Sequence, residues 1–323
     1  ESHLALAREY GRIVSKKAEQ KFDTWLVNPQ DQYLRVGVVS GDLRQHPVAY
    51  FLKNVIQHID SSKIALVAYL TDGRVDSVSA ELKPYFTQWK SLVGHDHRSA
   101  AEMIHADGIH VLLDLSGHTA GNKLPIFAWR PAPVQATWLG YWSTTGVAEI
   151  DYCLTDEVSL PSSCQIQFSE KIKYLPDTRL CFSEPEIAME IAQLPAIKNG
   201  YVTLGCYQQL AKVGNAVMEL WGKVMQAIPS ARLRWQCKSF TDEAIIAEVK
   251  QRLQRSGVDI ERISLLGQVS REAYFASYAE VDMNLDTFPF TGGTTTCDAL
   301  WMGVPTLTLA GRTLLSRYGA SVL

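Results

Sequence analysis

Residues 286–298 read Asp-Thr-Phe-Pro-Phe-Thr-Gly-Gly-Thr-Thr-Thr-Cys-Asp, a strand end, a glycine pair and a threonine-rich helix start. Gly292 and Gly293 let the main chain turn without Cβ clashes, and Thr294, Thr295 and Thr296 then offer N–H groups and hydroxyls at the positive end of a helix dipole. A phosphate is the natural ligand, although an ordinary capped helix uses the same residue types. A second segment, Tyr-Gln-Gln-Leu-Ala-Lys at 207–212, follows an apolar run and brings Gln209 and Lys212 to the mouth of the same sheet edge. A cation there stabilises a departing nucleoside diphosphate; a surface lysine at a helix start is the plainer alternative. At 267–274, Tyr274 is placed to stack on a base and Arg271 to reach a ribose or phosphate, with packing as the alternative for the tyrosine.

Two histidines stand at expected strand ends: His46 in Ser-Gly-Asp-Leu-Arg-Gln-His-Pro (40–47) and His118 in Asp-Leu-Ser-Gly-His-Thr (114–119). Imidazoles of near-neutral pKa suit acid–base work or a hydrogen bond to a sugar hydroxyl. Alternatively His46 caps the helix that begins at Pro47, and His118 satisfies loop backbone. The other histidines read as structural, and His95-Asp-His97 is too isolated for a metal site. Residues 130–146 hold a further strand and a glycine turn whose backbone can approach a bound sugar.

These segments need elements to position them. Apolar runs at 34–39, 64–70, 109–115 and 134–139 alternate with polar helical segments, with short strands at 152–155 and 172–175, which implies parallel strands with crossover helices. A second alternation starts at 201: strands at 201–206, 232–236, 263–266, 283–285 and 306–309, and helices at 213–227, 240–256 and 271–279. Residues 4–27 keep helical spacing and predict one long helix. The expected organisation is therefore an N-terminal helix (1–30), a first Rossmann-like lobe (31–176), a proline-bearing linker (177–199) and a second lobe (200–323), an α/β arrangement with ligands at strand carboxyl ends. At 323 residues two lobes are the natural division.

Composition narrows the partners. A net charge of −3 supplies no basic field for nucleic acid. No apolar run reaches the ~20 residues of a membrane helix, so no membrane partner is expected. Six cysteines without a CxxC pair suit neither a zinc knuckle nor a disulfide scaffold and point to a reducing cytoplasm.

Together these residues resemble the catalytic region of glycosyltransferase family 41, the protein O-linked N-acetylglucosamine transferases and their SPINDLY-like relatives. The resemblance runs from Arg35-Val-Gly-Val-Val-Ser-Gly-Asp through His46-Pro47, Gly117-His-Thr119, Arg130-Pro-Ala-Pro, Trp138-Leu-Gly-Tyr141 and the 209–212 segment to the loop at 292–298. It implies a two-lobed GT-B fold with the lobes facing a cleft. It also implies inverting transfer of N-acetylglucosamine from UDP-N-acetylglucosamine to Ser or Thr hydroxyls of a protein, without metal or cofactor. By resemblance, Lys212 and Thr294 to Thr296 hold the diphosphate, Gln209 contacts it, and Asp298 binds the ribose. Tyr274 replaces a base-stacking histidine, and Arg271 a lysine near the ribose. His46 matches a histidine once proposed as base, with donor phosphate or water as competing proton acceptors. Thr119 and Gly140 match sugar-side positions, and His118 is shared with bacterial and plant members.

Three departures matter. Human-type members carry His where this chain has Gly293. The large insert between lobes is absent, as in bacterial-type members. Family members continue beyond the position of Leu323 and carry tetratricopeptide repeats before this region, of which residues 4–27 would be the last helix. The segments 117–124 and 286–297 look closer to the SPINDLY-like branch, whose plant members use GDP-fucose, whereas Asp298 stands where that branch has Glu. A non-catalytic nucleotide-sugar-binding scaffold is the alternative of a different class, opposed by Lys212, Thr295 and Asp298 together. A dinucleotide dehydrogenase would need a GxGxxG that residues 40–45 do not supply.

Overall fold

The structure, a computed structural model, describes residues 2–27, 30–187 and 189–323. The chain forms two compact units, Glu1–Ser183 and Glu184–Leu323.

The first unit runs α1 (Ser2–Lys17), β1 (Leu34–Ser40), α2 (Pro47–Gln57), β2 (Ile64–Leu70), α3 (Ser77–Leu82), β3 (Gln88–Ser91), α4 (His97–Ala106), β4 (Val111–Asp114), α5 (Leu124–Phe127), β5 (Val134–Thr137), β6 (Tyr152–Thr155) and β7 (Lys171–Tyr174). Its seven strands are parallel, in the order β3-β2-β1-β4-β5-β6-β7. The central strands β1, β2 and β4 are largely apolar runs because helices cover both faces of the sheet there, whereas the edge strands β3 and β7 are polar and half-exposed. Leu112, Ile104, Phe127 and Ile126, all fully buried, lie in one core.

The expected helix over 4–27 stops at Lys17. Nothing in the local sequence breaks it; tertiary contacts do. Ala18 is buried, the Phe22 N–H donates to the Trp129 carbonyl at 2.9 Å, the Phe22 ring stacks on His105 at 3.9 Å, and Trp25 Nε1 donates to the Arg130 carbonyl at 2.9 Å. These partners hold the segment in non-helical form against its propensity. Nor does α1 stand apart from the first unit. A Cβ on Gly11 would lie 1.8 Å from the Gly146 carbonyl oxygen, so helix and loop backbones touch, and Tyr10 packs edge-on to His118 at 4.8 Å.

The second unit runs α6 (Pro195–Asn199), β8 (Thr203–Cys206), α7 (Asn215–Ala227), β9 (Arg232–Gln236), α8 (Glu243–Arg255), β10 (Ile263–Leu266), α9 (Arg271–Ala276), β11 (Met283–Leu285), α10 (Thr294–Trp301), β12 (Thr306–Leu307) and α11 (Tyr318–Val322). Its parallel strands are ordered β10-β9-β8-β11-β12. Val217, Met218, Trp221 and Met225 line one stripe of α7 and pack with Leu204, Leu233 and Trp235. The segment expected as a linker is shared: Ser183 Oγ donates to the Tyr50 carbonyl in the first unit, while Ile187 and Met189 pack on the Phe275–Met302 cluster of the second.

Candidate functional site

In the second unit, β8 and β11 are neighbours whose outgoing chains leave in different directions, the switch point where open α/β sheets bind ligands. The loop after β8 carries Gln208, Gln209 and Lys212; the loop after β11 carries Asp286 and the glycine pair. Gly293 is the N-cap of α10, whose first three residues are Thr294, Thr295 and Thr296. The Thr296 and Cys297 N–H groups return to the Gly293 carbonyl at 3.1 and 3.0 Å. Those of Gly293, Thr294 and Thr295 meet no acceptor among the described residues, as expected of a helix start open to an anion.

Lys212 Nζ lies 3.0 Å from Gln208 Oε1 and 3.4 Å from the Thr291 carbonyl, 4.0 Å above the Phe290 ring centroid. Burial pushes its pKa down to about 8, and Asp286 opposes that shift. Gln208 Nε2 donates to Thr295 Oγ1 at 2.6 Å and to Asp286 Oδ1 at 3.2 Å. Asp286 also accepts from the N–H groups of Thr287 (2.8 Å) and Gly292 (2.7 Å) and from Thr308 Oγ1 (2.7 Å), which fixes the path of the loop. Gln209 is exposed, and its side chain makes no hydrogen bond among the described residues.

Asp298 is buried, and its carboxyl is pushed up to about 6 by desolvation; the hydrogen bond from Tyr274 acts against that shift. Tyr274 donates to Asp298 Oδ2 at 2.9 Å and meets the Tyr278 hydroxyl at 2.8 Å. Its ring sits edge-on to Tyr207, Phe275 and Tyr278. The residue thus orients the acid as well as offering a half-buried ring. Arg271 is exposed at the start of α9, with its guanidinium 5.2 Å from the Phe275 ring centroid.

In the first unit, His46, His118, Thr119 and Gly140 follow β1, β4 and β5, three adjacent strands, at their carboxyl ends. His46 is the N-cap of α2: its Nδ1 accepts from the Val48 N–H at 3.3 Å, and Asp42 Oδ2 lies 3.7 Å away. Burial holds its pKa below the ordinary value, against the pull of Asp42. The His118 ring points Nε2 at the Thr145 carbonyl, 2.8 Å away, and burial lowers its pKa too. Thr119 Oγ1 donates to the Ser116 carbonyl at 2.8 Å. Asp114, fully buried, braces the loop by accepting from Ser116 N (3.1 Å), Gly117 N (2.9 Å) and Thr137 Oγ1 (2.8 Å), and burial pushes its carboxyl up to about 6. Gly140 is pressed onto the same loop: a Cβ there would sit 1.8 Å from the Leu115 carbonyl oxygen. Leu139 before it is held at φ 71°, a conformation that bulky residues adopt only when their surroundings enforce it.

The sequence gives no site role to Gln208, Asp286 or Tyr278. Asp286 carries the visible signal, as the polar residue ending an apolar strand, whereas Gln208 points inward beside the outward Gln209, and only the fold distinguishes them. Among the described residues no His, Cys, Asp or Glu cluster could hold a metal ion. A cavity of about 560 Å³ lined by Thr203, Arg232, Arg234 and Ser264 lies in the second unit and shares no residue with the glycine loop.

Two parallel α/β units, each with polar residues gathered at its strand carboxyl ends, make up an α/β architecture of the GT-B type. The sequence model of glycosyl transferase family 41 matches residues 1–197 and 187–323, and the chain belongs to that family. It is 35% identical over 323 residues to the probable UDP-N-acetylglucosamine–peptide N-acetylglucosaminyltransferase SPINDLY of Oryza sativa subsp. japonica, covering 98% of this chain and 35% of that protein. A mutant O-GlcNAc transferase of Thermobaculum terrenum superposes with a TM-score of 0.92 at 34% identity, over 99% of this chain and 61% of that one. The lipopolysaccharide outer core galactosyltransferase WaaB, at 12% identity and a TM-score of 0.55 over 84% of this chain and 80% of that one, shares the fold. The chain spans about a third of the length of the curated relatives it matches.

Proposed function

We propose that this chain carries the catalytic region of a protein O-glycosyltransferase that moves N-acetylglucosamine from UDP-N-acetylglucosamine to a Ser or Thr hydroxyl with inversion. The observation that carries the reading is the convergence of Lys212, the Thr295 hydroxyl and the unpaired N–H groups of Gly293 to Thr295 on one point at the start of α10. The names of the relatives supply the sugar. In the reaction the acceptor oxygen forms a bond to the anomeric carbon as the bond to the diphosphate breaks, and the hydroxyl proton departs. Negative charge grows on the diphosphate, where the helix N–H groups and the Lys212 ammonium stabilise it, the task a metal ion performs in other transferases. Asp298, oriented by Tyr274, accepts from ribose hydroxyls, with Arg271 beside it.

The two histidines differ in which nitrogen is engaged. His46 Nδ1 already accepts a hydrogen bond, so its neutral ring carries the proton on Nε2 and acts as a donor to a sugar or phosphate oxygen. His118 donates from Nε2 to Thr145, which leaves the Nδ1 lone pair to accept a proton. We therefore place His46 as a hydrogen-bond donor and His118 as the side chain able to take a proton. Thr119 and Gly140 border the same loop.

No helix among the described residues is long and apolar enough to cross a membrane, and the six free cysteines suit a reducing cytoplasm. Absence of an inter-lobe insert suits a bacterial member, and α1 suits the end of a repeat array. The test is calorimetric binding of UDP and GDP in parallel, followed by transfer of labelled sugar to a peptide. Preference for UDP with transfer lost in Lys212→Ala is the expected result. Preference for GDP would move the assignment to fucose, and full turnover in Lys212→Ala would refute the site.

A further inference from the structure

Gln208 is one of the most deeply buried polar side chains at the loop site, 2% exposed, and its backbone carbonyl is pinned by Trp235 Nε1 at 2.9 Å. Its carboxamide has one orientation consistent with its neighbours. Oε1 faces the Lys212 ammonium, which can only donate, and Nε2 faces the Asp286 carboxylate, which accepts. A flipped amide would set donor against donor and acceptor against acceptor.

That orientation has two consequences for the surrounding hydrogens. Nε2 donates to Thr295 Oγ1, so this hydroxyl is already an acceptor, and its own proton finds no acceptor among the described residues and is left for a ligand. Lys212 spends two of its three hydrogens on Gln208 and Thr291, which leaves one for a ligand. The amide also occupies the space beside the loop: a Cβ on Gly292 would lie 2.2 Å from Gln208 Nε2 and 2.6 Å from Thr295 Oγ1.

We infer that Gln208 is a positioning residue that turns the Thr295 hydroxyl and the Lys212 ammonium toward the diphosphate of the nucleotide-sugar donor. The inference rests on the proposed donor site. The glycine at 292 is then a requirement of the packed Gln208, Thr295 and Thr296 side chains, with Gln208 the nearest.

The test is Gln208→Glu, close in shape but opposite in hydrogen-bond polarity where it matters. The new carboxyl oxygen lies where Nε2 was, between Thr295 and Asp286, so it shares a proton with the Asp286 carboxylate and accepts from Thr295, and the hydroxyl proton turns inward and away from the ligand. Loss of one or two charge-assisted hydrogen bonds predicts a fall of about 10- to 100-fold in UDP or GDP affinity. Binding of the matching nucleoside, followed by ligand-observed NMR, stays unchanged. A merely structural role would move both ligands together. Gln208→Asn, which retracts the amide by one methylene, gives the same split between diphosphate and nucleoside if Gln208→Glu does not fold. Unchanged diphosphate affinity in either folded variant overturns the inference. Failure of the unaltered protein to bind any nucleoside diphosphate overturns the donor site itself, a separate outcome.

Discussion

The Lys212 ammonium gives the proposed donor site a pH response that follows from its burial. Burial brings its pKa from the ordinary 10.5 down to about 8, so about nine tenths of the protein carries the charge near pH 7, about half near pH 8 and about a tenth near pH 9. A diphosphate beside the ammonium favours the charged form, so the bound pKa lies higher than the free one. Linkage then sets the sign. Affinity is flat below about pH 8 and falls about tenfold per unit above it, and binding near pH 8 takes up about half a proton. Calorimetric titration of UDP in two buffers of different ionisation enthalpy measures that uptake directly. Lys212→Arg is the comparator, because guanidinium stays charged throughout and titration of the ligand itself cancels between the two proteins. Its affinity differs overall, since the planar head fits differently between Gln208 and Phe290, but its slope with pH should be lower. Equal slopes, or no proton uptake by the lysine form at pH 8, would refute the assignment of Lys212 to the diphosphate.

Two further outcomes follow from the same geometry. Tyr274→Phe removes the hydrogen bond that holds Asp298 Oδ2, and the carboxyl, already near 6, rises further; UDP affinity at pH 7 should drop by about 1–2 kcal/mol with partial recovery between pH 7 and 8, and a pH-independent loss in calorimetry would point to ring packing alone. Gly11→Ala places a methyl 1.8 Å from a backbone carbonyl that cannot rotate away, so α1 must shift; despite alanine's better helix propensity, the first unit should lose about 1–3 kcal/mol, read as a lower Tm, and an unchanged or raised Tm would show that the helix does not dock there.

Where a short run centred on apolar residues is bounded by polar turns, the strand's span was legible, at the half-buried edge strand β10 as well as in the interior. Residues 64–70, 152–155, 232–236, 263–266 and 283–285 match β2, β6, β9, β10 and β11 as observed. β3 escaped notice because Gln88–Ser91 is an edge strand with half-exposed polar residues and no apolar run. The helix expected over 240–256 starts at Glu243, where Asp242 caps it, and a separate 3-10 turn precedes it. The end of α1 was illegible because its cause, Trp129 and Arg130, lies more than a hundred residues away. The candidate site divides the same way. Glycines, threonines and a lysine after strands announce an anion loop by type and spacing. Which of two adjacent glutamines reaches the lysine depends on how the loop after β8 turns, and Trp235 sets that turn from another strand.

The strand order of the second unit ties assembly to function. β8 is central in its sheet but first in its unit's sequence, and its partner on one side, β11, follows β9 and β10, which lie on the other side. With only β8, β9 and β10 paired, β8 would be an open edge, the kind of edge that invites pairing with another chain. Docking of β11 covers that edge, and the chain that leaves it brings Thr295 onto Gln208, 87 residues away. Covering of the β8 edge and completion of the proposed nucleotide site are therefore one structural event.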